Sequence, residues 1–186
     1  FKVKPSDIAT DTILFNLGSN DFNAHPTEAR RVMEQLRGDA RIYVHPNGGH
    51  PALAPQQVGA ARLWLRHVIF GDTLPDIRPP VVEAGEGSLG FRAVIEQPEG
   101  VEAVELCHAY FREKPWPGPA SREAMPHKNA KWKITPLVKR EGQYTAMLET
   151  KGVDLGRLHY YIRARVRLGQ VSGWLSSPVH QLQEKQ

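Results

Sequence analysis

Asp21 and His50 are the two residues of this chain whose types and setting point most directly to chemistry. Asp21 closes the string Gly18-Ser19-Asn20-Asp21, directly after the short apolar run Ile13–Gly18. His50 closes Pro46-Asn47-Gly48-Gly49-His50, directly after a second run, Arg41 to Val44. A carboxylate that accepts a hydrogen bond from an imidazole Nδ1–H fixes the tautomer and stabilises the imidazolium. Nε2 can then take a proton from a hydroxyl nucleophile. The glycines before His50 let its loop turn tightly and bring the ring inward. Asp21, His25, His45 and His50 are also oxygen and nitrogen donors of the type that binds metals. His45 should end a strand and His25 should start a helix, so the four are not expected to converge. We predict neither a metal site nor a cofactor, and no Gly-rich phosphate loop precedes the helix start at Pro26.

Positioning two such loops requires a parallel α/β unit. Ile13 to Gly18 is nearly continuous in apolar residues, as in a strand buried on both faces of a parallel sheet. Pro26 starts a helix, with Glu28 near its positive end and Ala29, Val32, Met33 and Leu36 on one stripe; Gly38 stops it. Arg41 to Val44 reads as the second strand. Pro55 opens a second helix, with Val58, Ala61, Leu65 and Val68 as its core stripe and Gly71 at its end. Ligands bind outside the carboxyl edge of such sheets, where Asp21 and His50 would meet across adjacent strands about 5 Å apart. Two parallel strands do not form a stable sheet alone. The chain opens at Phe1 with its first methionine at Met33 and no signal-peptide pattern, so we expect upstream polypeptide to supply the missing strands.

The pattern changes near Asp76-Ile77-Arg78-Pro79-Pro80, which places a boundary between residues 1–78 and 79–186. Beyond it the alternation has period two. Leu158, Tyr160, Ile162, Ala164, Val166 and Leu168 alternate with His159, Tyr161, Arg163, Arg165 and Arg167, which reads as a strand with one buried and one wet face. Phe91–Ile95, Val104–Phe111, Trp132–Ile134 and Tyr144–Leu148 alternate similarly. Turn signals fall at Gln97-Pro98-Glu99-Gly100, Arg140-Glu141-Gly142 and Gly169. Five or more short strands in about 100 residues predict an immunoglobulin-like sandwich. Trp132 and Trp174 are expected in its core. Trp116, in Lys114-Pro115-Trp116-Pro117-Gly118-Pro119, is the candidate substrate-binding aromatic, able to stack on a sugar ring or lean over the crevice.

The run from Ile13 to Phe70, with the strings GSNDFNAHPTE and HPNGGH, resembles the last strand–acid–helix–strand–histidine–helix portion of the α/β-hydrolase superfamily. The similarity is to dienelactone-hydrolase-like, acetyl-xylan-esterase-like and PhoPQ-activated pathogenicity-related members, some of which carry a C-terminal β-domain. The resemblance implies a fold of α/β plus all-β class, the C-terminal βαβα portion of a hydrolase sheet followed by the sandwich. It also implies that Asp21 is the triad acid and His50 the triad base. The nucleophile elbow G-x-S-x-G and the oxyanion hole would then lie upstream. Gly85-Glu86-Gly87-Ser88-Leu89-Gly90 is not that motif, because Glu86 stands at its first glycine and it follows the acid and base in the chain.

The expected function is therefore a share in a serine hydrolase, an esterase before a peptidase, acting on a small ester or glycan ester and inactive without the polypeptide that carries the serine. The alternative is a hydrolase-like scaffold whose β-domain binds a glycan or a protein. Composition bounds the remaining classes. The 186 residues are 40% hydrophobic and 24% charged with a net charge of +4, and the basic residues are dispersed, which argues against a nucleic-acid partner despite a pI near 9.3. No apolar run approaches a membrane span. Cys107 has no internal disulfide partner, and only the appended sandwich leans the localisation towards export.

Overall fold

The computed structural model describes residues 12–21, 26–36, 38–50, 54–111 and 130–182. The chain begins with β1 (Thr12–Gly18), α1 (Pro26–Met33), β2 (Asp39–His45) and α2 (Pro55–Phe70). β1 and β2 pair in parallel, from Thr12 opposite Asp39 to Gly18 opposite His45. Both acid- and histidine-bearing turns therefore leave the same end of adjacent strands. Pro26 and Pro55 open the helices where a missing N–H costs nothing, and Gly71 closes α2 in the left-handed conformation.

The all-β part follows as β3 (Asp76–Gly85), β4 (Ser88–Glu96), β5 (Val101–Tyr110), β6 (Lys133–Pro136), β7 (Val138–Arg140), β8 (Gln143–Glu149), β9 (Leu158–Leu168), β10 (Val171–Ser176) and β11 (His180–Gln181). Gln97, Gly100, Glu141, Gly142 and Gly169 have positive φ at the turns the sequence marks. Among the described residues one sheet runs β1-β2-β10-β9-β5-β6, with β11 also on β9, and a second runs β3-β4-β8-β7. A mixed α/β region thus precedes an all-β region. The strand that flanks β2 comes from the all-β region, and not from the upstream polypeptide expected to supply it: β10 joins β2 antiparallel through Ser176 opposite Ile42. Ser176 Oγ reinforces that short contact by accepting from the Val44 N–H at 3.1 Å.

The sheets pack face to face around Leu89 and Phe91 on one side and Leu106, Tyr160 and Ile162 on the other, and this core continues to Leu63 of α2. Full burial of each such side chain stabilises by about 1.5–3 kcal/mol. The opposite face of the longer sheet carries a second core of Ala29, Val44, Cys107, Phe111, Trp132 and Tyr161. Two expectations fail here. β9 is wet on its expected face only at Arg165 and Arg167, because the first half of that face is covered: Tyr161 is inaccessible in the second core and Arg163 is only 8% exposed. Nor does α2 bury its predicted stripe. Gln57, Ala60 and Leu63 face the sheet, whereas Val58, Leu65 and Val68 are exposed. The helix seats through Gly59 against Gly173 of β10, where a Cβ on Gly173 would lie 2.5 Å from Gly59 backbone. That backbone contact, not the apolar stripe, sets its rotation. Among the described residues no helix is long and apolar enough to cross a membrane.

Candidate functional site

The turns after β1 and β2 meet as the parallel register requires. Ser19 N–H donates to the His45 carbonyl at 2.9 Å, and Asn20 N–H to the Gly48 carbonyl at 2.8 Å. A Cβ on Gly18 would sit 2.4 Å from the Gly48 oxygen, so only glycine permits this backbone approach. Ser19 is fully buried and its Oγ accepts from the Asn47 N–H at 2.7 Å. It serves as a brace between the turns.

Within this frame His50 Nδ1 and Asp21 Oδ2 lie 2.9 Å apart. Asp21 is buried, with its side chain 6% exposed against 41% for His50. An acceptor-only carboxylate at that distance is matched to an Nδ1–H donor, which places Nε2 on the far side of the ring. Burial of the carboxylate and accessibility of the imidazole are what an orienting acid and a proton-transferring base require. The structure thus brings the two sequence-selected residues together.

The other candidates fall elsewhere. His45 directs Nδ1 at the Tyr43 hydroxyl, 3.1 Å away, and burial, aided by the nearby Arg163 guanidinium, lowers its pKa below the ordinary value. Burial also pushes the Tyr43 hydroxyl up to about 12, against the opposing pull of Arg163. His25 and Trp116 lie outside the described residues. Among the described residues no group of three or more histidine, cysteine, aspartate or glutamate side chains could hold a metal. Ser88 opens β4 in the second sheet, paired with Gly85 and Glu149. Trp132 is buried, with Phe111 and Tyr161 rings against it, while Trp174 is partly exposed beneath the Arg163 guanidinium, 4.2 Å from its centroid. Arg163 is not a solvated strand residue, since it forms a largely buried ion pair with Glu105 at 2.6 Å.

A second Asp–His pair shows why position matters. His67 Nε2 lies 3.0 Å from Asp39 Oδ2 and its Nδ1 lies 2.7 Å from the Asp72 carbonyl. Both ring nitrogens are engaged, and Asp39 stands at the amino end of β2, away from the Asp21–His50 edge, so this pair ties α2 to the sheet. Sequence reasoning missed Ser19, Asn20 and Asn47 as site supports. Asn47-Gly48 was the available signal, because Asn before Gly favours a left-handed turn, and Asn47 indeed has φ 59°.

No known family's profile matches the chain, and no curated protein matches it. Among solved structures, OgpA from Akkermansia muciniphila aligns at 11% identity and TM-score 0.29, over 57% of this chain and 28% of its own. A putative carbohydrate binding protein from Bacteroides uniformis aligns at 13% and 0.32, over 77% and 61% of the two chains. A DUF3823 family protein from Bacteroides ovatus aligns at 14% and 0.30, over 78% and 61%. The chain therefore spans under a third of the first protein and about three-fifths of the others. Likenesses this slight carry no argument about this chain.

Proposed function

We propose that Asp21 and His50 are the acid and base of a Ser-His-Asp hydrolase acting on esters, with the serine and the oxyanion hole supplied by polypeptide beyond these 186 residues. The observation that carries the reading is the 2.9 Å contact between the buried Asp21 carboxylate and His50 Nδ1, at the carboxyl ends of adjacent parallel strands. In the reaction His50 takes the proton of the attacking serine, then returns it to the leaving alcohol, while Asp21 holds the ring and balances its charge. This is the arrangement the resemblance to α/β-hydrolases implies. The strand order of the all-β part, β3-β4-β8-β7 opposite β6-β5-β9-β10, supports the immunoglobulin-like reading of that part, where A-B-E-D packs on C-F-G.

Two features support the docking of further strands on the α/β region. Among the described residues β1 has a strand partner on one side only, and α2 exposes Val58, Leu65, Val68, Ile69 and Phe70. An open edge beside uncovered apolar surface is where a parallel sheet continues.

The test is made on the complete polypeptide with an activated acetate ester and a serine-reactive fluorophosphonate. His50→Ala should reduce turnover by a factor of about 10⁴ or more, as loss of a triad member does. Asp21→Asn should also lower the rate severely. Unchanged turnover in His50→Ala, or no labelled serine in the parent, would reject the hydrolase and favour the scaffold alternative.

A further inference from the structure

The two turns that carry Asp21 and His50 are fastened to one short stretch of the all-β region. Asn20, next to Asp21, donates from Nδ2 to the Ala130 carbonyl at 2.9 Å and accepts from Ser19 Oγ at 3.1 Å. Asn47, three residues before His50, uses both ends of its amide on Trp132. Its Oδ1 accepts from the Trp132 N–H at 2.8 Å, and its Nδ2 donates to the Trp132 carbonyl at 3.0 Å. The left-handed φ of 59° at Asn47 turns its side chain to this use. One segment thus shares three hydrogen bonds with side chains of two separate turns, accepting two and donating one.

That segment is rigidly seated. Ala130 and Trp132 are 8% and 4% exposed, and the indole lies against Phe111, 6.0 Å between centroids, and Tyr161, 5.1 Å. Tyr161 in turn donates its hydroxyl proton to the Val44 carbonyl of β2 at 3.1 Å. The connection is a closed circuit: β2 to Tyr161, to Trp132, to Asn47, and back to the turn that follows β2. A proton-transfer pair must hold its geometry to a fraction of an ångström, and turns alone rarely provide that. Because both turns are tied to the same backbone, displacement of one relative to the other breaks hydrogen bonds on at least one side.

We propose that Asn20 and Asn47 are positioning residues, through which the all-β region fixes the mutual geometry of Asp21 and His50. The all-β region is then a working part of the site and not merely an appended module. The role rests on the acid–base reading above, so the experiment separates the two. Its readout is the His50 Nδ1–H proton, observed downfield by NMR at low temperature in the 186-residue chain and assigned by its loss in His50→Gln.

Asn47→Gly keeps the left-handed backbone but deletes both bonds to Trp132, and Asn20→Ala deletes the bond to Ala130. Each should speed solvent exchange of that proton by roughly tenfold, the loss of one or two hydrogen bonds, and the double variant should lose the resonance. Ile162→Val, which loosens the core between the sheets without touching the turns, should leave the exchange unchanged. Exchange at the parent rate in both asparagine variants would overturn the positioning role. So would equal acceleration in Ile162→Val, which would make the effect one of general stability. A parent spectrum without the resonance would reject the Asp21–His50 pair itself, and the positioning role with it.

Discussion

Two of the acid–base contacts in this chain are of opposite character. Glu105 and Arg163 pair across β5 and β9 in the all-β region, where both strands are flanked within the longer sheet and the second sheet packs on one face. Asp21 and His50 pair in the α/β region, which has an open strand edge among the described residues and an uncovered helix face. Arg163 keeps its charge at any working pH, and both its Nε and Nη2 bind one Glu105 oxygen, at 2.7 and 2.6 Å. The imidazole of His50 differs in kind, because each of its ring nitrogens can serve as donor or acceptor according to the tautomer. A closed environment suits a permanent ion pair that fixes strand register. A partly open rim suits the proton exchange proposed for Asp21 and His50.

The largest effect that would sharpen this contrast is removal of the permanent charge. Arg163→Met leaves the Glu105 carboxylate without its partner beside the core and strips the guanidinium from Trp174. Loss of one member of a buried pair costs about 3–5 kcal/mol, with the lower end expected here because Glu105 keeps some solvent. Chemical denaturation should show a midpoint shift of that size. Adding Glu105→Leu should recover most of it, because no unpaired charge then remains. A single variant costing under about 1 kcal/mol would mean that the pair is solvated, and the contrast would collapse.

A smaller effect tests the seam between the regions. His180 of β11 lies against Tyr160, with Arg30 of α1 and Glu34 just after that helix nearby, and its pKa is lowered from 6.5 to about 4, first by burial and then by Arg30. The folded chain therefore binds this proton less readily than the unfolded chain. Above pH 6.5 the residue is neutral in both states and imposes no penalty. As pH falls from 6.5 towards 4 the unfolded chain takes up the proton first, so stability declines through that window and levels off below it. His180→Asn should flatten this part of the stability profile measured by thermal unfolding. An unchanged acid limb would show that the seam is wet and that the two regions meet more loosely than the structure indicates.

The parts legible in the sequence were those with a local cause. Strand and helix limits followed from Pro26, Pro55, Gly71 and the period-two runs, and the Asp21–His50 contact followed from two turns leaving parallel neighbours. What periodicity could not convey was which neighbour covers a face. Arg163 reads as a wet residue on an alternating strand, yet β9 is central and the residue is held by Glu105 of β5 and the Trp174 ring of β10. Val58, Leu65 and Val68 read as a core stripe, yet the backbone contact of Gly59 with Gly173 turns them outward. The supports at Asn20 and Asn47 were hidden because their partners, Ala130 and Trp132, lie 110 and 85 residues away.

The smallest expected effect is the one that says most about the open region. Val58, Leu65 and Val68 are 36%, 53% and 49% exposed, so replacing any of them by Ser in the 186-residue chain should alter unfolding free energy by no more than about 0.5 kcal/mol. Leu63→Ala, one turn away on the buried face, should cost about 2–5 kcal/mol. The same serine variants in the complete polypeptide should become costly, because docked strands and helices would bury the stripe and each polar replacement would then sit in a core. A Leu65→Ser variant that costs several kcal/mol in the 186-residue chain would mean the face is already covered. The α/β region would then be as closed as the all-β region, and the stripe would no longer mark where further polypeptide attaches.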